Sequence, residues 1–151
     1  MCIRDRGNTS PADITLADLR AMRAQVDGAA LINGAYYFHP SMDSLFVSFN
    51  AGRHDAPVYV RTGPDGGILE NFPVRFVEVL PVYDTSAHAG QIQGVFGDLS
   101  YMYLAVKPGV VLQSSKDAFF TTDEIAVRAL ERFCVNQMAD AAIAAIELAA
   151  E

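Results

Sequence analysis

Lysine is nearly missing from this 151-residue chain: Lys107 and Lys116 are the only two, and Asp plus Glu outnumber Lys plus Arg by 18 to 11. The formal net charge is −7, and no stretch gathers basic residues into a cluster. Gripping a nucleic-acid backbone takes positive charge that displaces counterions from phosphates, so specific nucleic-acid binding is not expected. A polybasic membrane anchor is excluded on the same ground. No apolar run approaches the ~20 residues that a membrane-spanning helix needs. Cys2 and Cys134 form neither a C-x-x-C pair nor a Cys/His spacing, which removes disulfide scaffolds and zinc sites and fits a reducing, cytoplasmic setting. His39, His54 and His88 never fall in H-x-H or H-E-x-x-H order, so no metal and no cofactor is expected. The glycine-rich TGPDGG at 62–67 lacks the Gly-Lys-Ser/Thr ending of a phosphate-binding loop and reads as a turn tip.

What the chain does contain is apolar residues, at 51%, with 11 Gly, 7 Pro, 6 Tyr and 9 Phe. That content argues against disorder, and the Gly/Pro/aromatic mixture predicts short strands and many turns. The length suits one domain's worth of core. There are no internal repeats.

Taken in order, Met1 to Arg6 (MCIRDR) has no apolar core and is no signal peptide. It is similar to translated sequencing-adapter DNA, so 1–12 is expected to be artefact and linker, with the natural frame continuing upstream. Thr15 is placed to cap a helix, with Asp18 three residues on as a box-like partner. Leu16, Leu19, Met22 and Val26 give that helix a core face, and Gly28 ends it. A buried strand is expected over 31–39, then a helix starting at Pro40-Ser41 with Met42, Leu45, Phe46 and Phe49 on one face, stopped by Gly52. His39 should cap or pack at that junction, while His54 beside Asp55 reads as a surface pair. Further strands are expected at 58–61 and 74–80, with a polar loop at 83–90. Then comes an apolar run into Phe96-Gly97-Asp98, a strand over 100–106, a Lys107-Pro108-Gly109 turn and a short strand over 110–113.

The segment 123–138 divides the signals. Its Ala, Glu, Arg, Leu and Met favour helix. Alternation puts Ile125, Val127, Ala129, Phe133 and Val135 on one face and Arg128, Arg132 and Asn136 on the other, with Glu131 alone breaking the first. The alanine-rich tail 139–150 would by propensity be helix.

The ordered set Phe96-Gly97-Asp98, Tyr101 and Tyr103, Lys107-Pro108-Gly109, Phe120 to Asp123, and Arg128 with Arg132 resembles the major capsid protein family of tailed bacteriophages, with the Hong Kong 97 type of shell fold. Leu69 and Pro73-Val74, and the Phe38-His39-Pro40 step, match the family's pattern in part. The resemblance implies an α+β fold: an axial domain over 13–121, with a central mixed or antiparallel sheet flanked by two helices, and returning peripheral-domain strands over 122–151. It makes 123–138 and the tail strands. It further implies a structural subunit of a virion, a C-terminal fragment of one, assembled in the bacterial host cytoplasm. Its partners would be copies of itself in pentamers and hexamers around packaged DNA, with scaffold, portal or decoration proteins besides. An encapsulin-like compartment shell is the alternative of the same fold. With Asp123 where some relatives carry a cross-linking asparagine, no cross-link through it is expected.

Candidate contact residues are Asp65, Asp84 and His88 in the two loops, and Arg128 and Arg132 on the long strand. The arginines would pair with carboxylates of a neighbouring subunit, or else line a solvated face. Asp84, Ser86 and His88 also suggest a hydrolase, but no G-x-S-x-G elbow holds the serine, and a solvated loop is the simpler reading. Asp123, Glu124 and Glu131 are given no acid–base role.

Overall fold

The computed structural model describes residues 2–4, 10–51, 56–83, 90–119, 121–122 and 124–148. By its contacts the chain divides into one unit of Met1–Tyr101 with Ala139–Glu151 and a second of Met102–Met138.

The first unit carries seven strands: β1 (Cys2–Arg4), β2 (Ala35–Phe38), β3 (Tyr59–Gly63), β4 (Gly66–Leu69), β5 (Phe72–Phe76), β6 (Ile92–Gly97) and β11 (Ile143–Glu147). They form one mixed sheet in the order β1-β11-β6-β2-β5-β4-β3, parallel at β1/β11 and β2/β5 and antiparallel elsewhere. Two helices lie against it, α1 (Leu16–Ala24) and, after the single turn α2 (Gly28–Leu31), α3 (Asp43–Ser48).

α1 begins where the capping signal says. The Thr15 backbone N–H and its hydroxyl both donate to the Asp18 carboxylate, at 2.7 and 2.6 Å. Its apolar stripe is realised, with Leu19 and Met22 buried. The end differs from expectation. Gln25 closes the helix, and Gly28 opens α2 instead of ending α1. The Asp27 N–H donates 2.9 Å to the Ala141 carbonyl, so the tail captures the chain before Gly28 is reached.

The core is aromatic. Tyr36 and Phe38 sit two apart on β2 and so share one sheet face. The Tyr36 hydroxyl donates to the Leu19 carbonyl of α1 at 3.3 Å, and Phe38 meets Phe46 of α3 edge-on at 5.1 Å. Both helices therefore cover the same face. Phe96 of β6 joins them, 4.5 Å from Tyr36 and 5.4 Å from Phe72. Gly94 is what lets β6 lie there: it pairs with Phe38, and a Cβ at that position would enter the Phe38 ring. On the opposite face Tyr37, Val95 and Ala145 stay half-buried.

The tail is the strand β11 that the family resemblance implies, not the helix its alanines favour. Ala142, Ala144, Ile146 and Leu148 are all within 2% of complete burial, so alternate side chains complete the helix-covered face. Tertiary burial outweighs local propensity here. The Phe96-Gly97-Asp98 step meets the start of β11. The Asp98 N–H donates to the Ala142 carbonyl at 3.3 Å, and a side chain on Gly97 would strike that same oxygen.

Several expected bounds shift for identifiable reasons. The strand expected over 31–39 shrinks to 35–38, because Gly34 closes a turn against Leu31. The helix after Pro40 starts as a 3-10 turn, Pro40–Met42, where the His39 ring nitrogen accepts the Ser41 N–H at 3.2 Å. That helix ends at Ser48, before Gly52, which lies outside the described residues. The turn expected over 62–67 narrows to Pro64-Asp65, and Gly66–Leu69 is strand. The strand expected over 74–80 runs from 72 to 76 instead, since Leu69 and Phe72 pair across a two-residue loop, Glu70-Asn71. Both loop residues have positive φ, 47° and 73°, as a type I′ hairpin requires. The outer edge at β3 is covered locally. The Asn50 side-chain amide accepts the N–H of Val58 and Tyr59 and donates to the Tyr59 carbonyl, imitating a neighbouring strand.

The second unit is a long antiparallel ribbon. β7 (Met102–Val106) pairs with β10 (Phe133–Gln137), and β8 (Val111–Phe119) pairs with β9 (Glu124–Leu130). The long strand expected over 123–138 is thus two strands, parted at Glu131-Arg132. Opposite the break lies the Lys107-Pro108-Gly109 turn, where proline cannot donate to a ladder. The Lys107 N–H still donates to the Arg132 carbonyl at 3.0 Å, which carries the pairing through. The short strand expected over 110–113 continues through 114–118 as β8.

Candidate functional site

Residues directly opposite in an antiparallel pair share a face, so the register sorts the ribbon's side chains. Leu104 faces Val135 and Val106 faces Phe133; Leu112 faces Ala129, with Val127 and Ile125 next along β9. These stand on one side, at odd positions of β9 and β10. The other side holds Tyr103 with Asn136, Ala105 with Cys134, and Gln113 with Arg128.

The apolar side is open. Leu112, Val127 and Phe133 are 69%, 71% and 70% exposed, and Leu104 and Ile125 are also exposed. A two-stranded ribbon offers no second layer against which to bury such residues, and a contiguous exposed apolar face marks a contact surface. In the first unit, by contrast, apolar side chains gather beneath two helices.

The opposite side is polar and cationic. Arg128 lies over a shallow depression with Gln113, Ser115 and Ala126. Lys107 and Arg132 border a second one with Val111, Gln113 and Leu130. Arg128 and Arg132 thus share a face, as their spacing implied, although Arg132 lies in the break between strands. Lys107 and Gln113 belong to the same surface. Sequence alone did not single them out; pairing the Lys-Pro-Gly turn with Glu131-Arg132 would have.

Asp65 sits in the other unit, exposed at the tip of the β3–β4 hairpin, where its carbonyl accepts the Phe76 N–H at 3.0 Å. Asp84, Ser86 and His88 lie outside the described residues, as do His54, Asp55 and Asp123. No group of three or more His, Cys, Asp or Glu side chains among the described residues is placed to hold a metal. Among the described residues no helix is long and apolar enough to cross a membrane.

Three polar clusters brace the first unit. Glu70 accepts from Arg20 at Nε (2.9 Å) and again at Nη2, and Arg23 stands 3.3 Å away. The Arg20 hydrogen bond, ahead of any charge effect of Arg23, holds the Glu70 carboxyl below its usual value. Asp43 accepts from the Tyr59 hydroxyl at 2.7 Å and from Arg61 at 2.9 Å. Burial, then the Asp43 hydrogen bond, pushes the Tyr59 hydroxyl up. Asp98 accepts the Ser100 N–H at 2.8 Å, a bond that lowers its carboxyl. The Glu70 and Asp43 contacts tie side chains of separate elements together, and the Asp98 contact holds the turn that follows β6.

The description "Phage capsid family" matches residues 5–148. The chain belongs to the phage capsid family. None of the curated proteins compared with it matches. Among solved structures, the capsid of a native GTA particle, computed with C5 symmetry, superposes with a TM-score of 0.63 at 16% identity, covering 99% of this chain and 49% of that one. The capsid of the empty GTA particle gives 0.61 at 16% identity, covering 95% and 48%. A chain from Mycobacterium phage Ogopogo gives 0.50 at 13% identity, covering 98% and 53%. At these identities the likeness concerns the fold, and it is the mixed α+β capsid fold. The chain spans about half the length of the solved capsid chains it matches.

Proposed function

We propose that this phage capsid family chain works as part of a shell-building subunit. Its copies meet head to tail in rings of five and six and close an icosahedral shell around packaged DNA. The observation that carries this reading is the ribbon's uncovered apolar face, in a chain whose family match runs from residue 5 to 148. Rings need heterologous contacts, in which two different patches of one subunit complement each other.

The seven-stranded unit is the proposed axial part and the 102–138 ribbon the proposed peripheral part, a division that follows the contacts and not the 121/122 boundary. Asp65, Asp84 and His88 are proposed to meet neighbours near the ring axis, and Arg128 and Arg132 to meet them at the periphery. The shell is built in the host cytoplasm and ends in the virion. The role is mechanical: Ser86→Ala should leave background turnover of a generic ester unchanged.

The test is to express the open reading frame containing this chain in bacteria and image the sedimenting fraction by electron microscopy. Uniform closed particles that yield this chain's peptides are expected. A frame that gives only monomer, with no particle, would sink the reading. The 151-residue chain alone is expected to form no closed shells.

A further inference from the structure

Three cations stand on the polar side of the ribbon. Lys107, Arg128 and Arg132 are exposed on this side, and none of them makes an ion pair or a side-chain hydrogen bond among the described residues. Within 102–138 the sequence sets Lys107, Lys116, Arg128 and Arg132 against Asp117, Asp123, Glu124 and Glu131. The ribbon is therefore neutral overall, and the whole excess of −7 belongs to the remaining residues. There Asp27, Asp65 and Glu78 are exposed and, among the described residues, make no ion pair.

We propose that the Lys107/Arg128/Arg132 face of one copy docks on exposed carboxylates of a second copy's seven-stranded unit. The inference rests on the shell-subunit reading and names the partner of this face. Two acidic units brought side by side repel, whereas a cationic ribbon laid on an acidic neighbour steers and orients the contact. Identical subunits then acquire a directional, head-to-tail joint from one asymmetry of charge. The arginines favour this partner because their planar forks match carboxylates in two-bond geometry. Gln113, between the two depressions, supplies neutral hydrogen bonding beside them.

The experiment mixes unlabelled and ¹⁵N-labelled chain, couples amines to carboxylates with a zero-length carbodiimide, and maps the products by mass spectrometry. Lys107 should be joined to an Asp or Glu outside 102–138 in mixed-isotope peptides. About 0.5 M salt should suppress those products, because screening then acts over only a few ångströms. In parallel, Arg128→Glu with Arg132→Glu should weaken self-association at least ~10-fold in sedimentation, with an unchanged circular dichroism spectrum. Same-isotope links alone, or association indifferent to the charge reversal, would overturn the proposal. So would binding of a short DNA duplex through these three cations in place of a second copy. Closed particles that form normally from the doubly reversed frame would remove the docking and leave the shell reading standing. Mixed-isotope links from a frame that forms no particle would do the reverse.

Discussion

Glu70 occupies a backbone conformation that its own chemistry does not favour. At φ 47° it is left-handed, as is Asn71 at 73°, and left-handed backbone costs a residue with a Cβ roughly 1–2 kcal/mol. Asparagine tolerates that region; glutamate is held in it by Arg20 and Arg23, the latter with its guanidinium 5.1 Å above the Phe72 ring. Asn71→Gly is therefore expected to be neutral or slightly stabilising, and Asn71→Ala to cost about 1 kcal/mol in urea unfolding. Glu70→Gln removes the charge and keeps the shape. Because the folded-state carboxyl is depressed, its contribution is complete above the ordinary Glu value near ~4.3 and is lost as pH falls through the folded one. The wild-type urea midpoint should exceed that of Glu70→Gln at pH 7, modestly since Arg20 is exposed, and the two should converge once the pH has fallen below the depressed folded-state value. A gap that persists in acid would assign the effect to shape.

At the scale of elements, β11 holds the first unit together from the far end of the sequence. Ile146 is fully buried on the helix-covered face, so Ile146→Ala should cost ~2–5 kcal/mol, measured by thermal or urea unfolding. Amide exchange should rank the strands: β6 and β2, paired on both sides, protected most, and β7 and β10, paired on one side only, exchanging faster. Equal protection would mean that the ribbon is covered in the isolated chain. These same elements show what a single sequence reveals. α1 was legible because Thr15 and Asp18 cap it and Leu19 and Met22 recur at helical spacing. The two faces of the ribbon were legible because Ile125, Val127, Phe133 and Val135 alternate with Arg128 and Arg132. β11 is helix by propensity and strand by burial, and only the family resemblance placed it. β4 was hidden by its opening Gly66-Gly67 and by Glu70, which announces no turn. The extension of β8 was hidden by the polar run Gln113, Ser114 and Ser115. A strand that owes its pairing to a partner many residues away leaves little trace in its own composition. Asp65, Arg128 and Arg132 could be singled out as exposed charges, but the grouping of Lys107 with the two arginines depends on the hairpin register.

At the scale of the whole molecule, two opposed features set solution behaviour: a net charge of −7 and an apolar ribbon face left open. Near neutral pH the net negative charge opposes close approach of the apolar faces, and the cationic side of the ribbon is left as the surface through which copies attract one another. Toward the isoelectric point, near 4.8, that repulsion vanishes while the apolar face is unchanged. Light scattering of the 151-residue chain should therefore rise to a maximum close to pH 4.8 and fall again on the acid side, where the chain becomes cationic. Leu112→Ser with Val127→Thr alters neither the net charge nor the isoelectric point, and both positions are exposed, so folding should survive the change. If the ribbon face drives the association, this variant should lose most of the scattering maximum. If the maximum persists at full height, the attraction resides in some other surface, and the apolar ribbon face loses its claim to be the contact around which the shell is built.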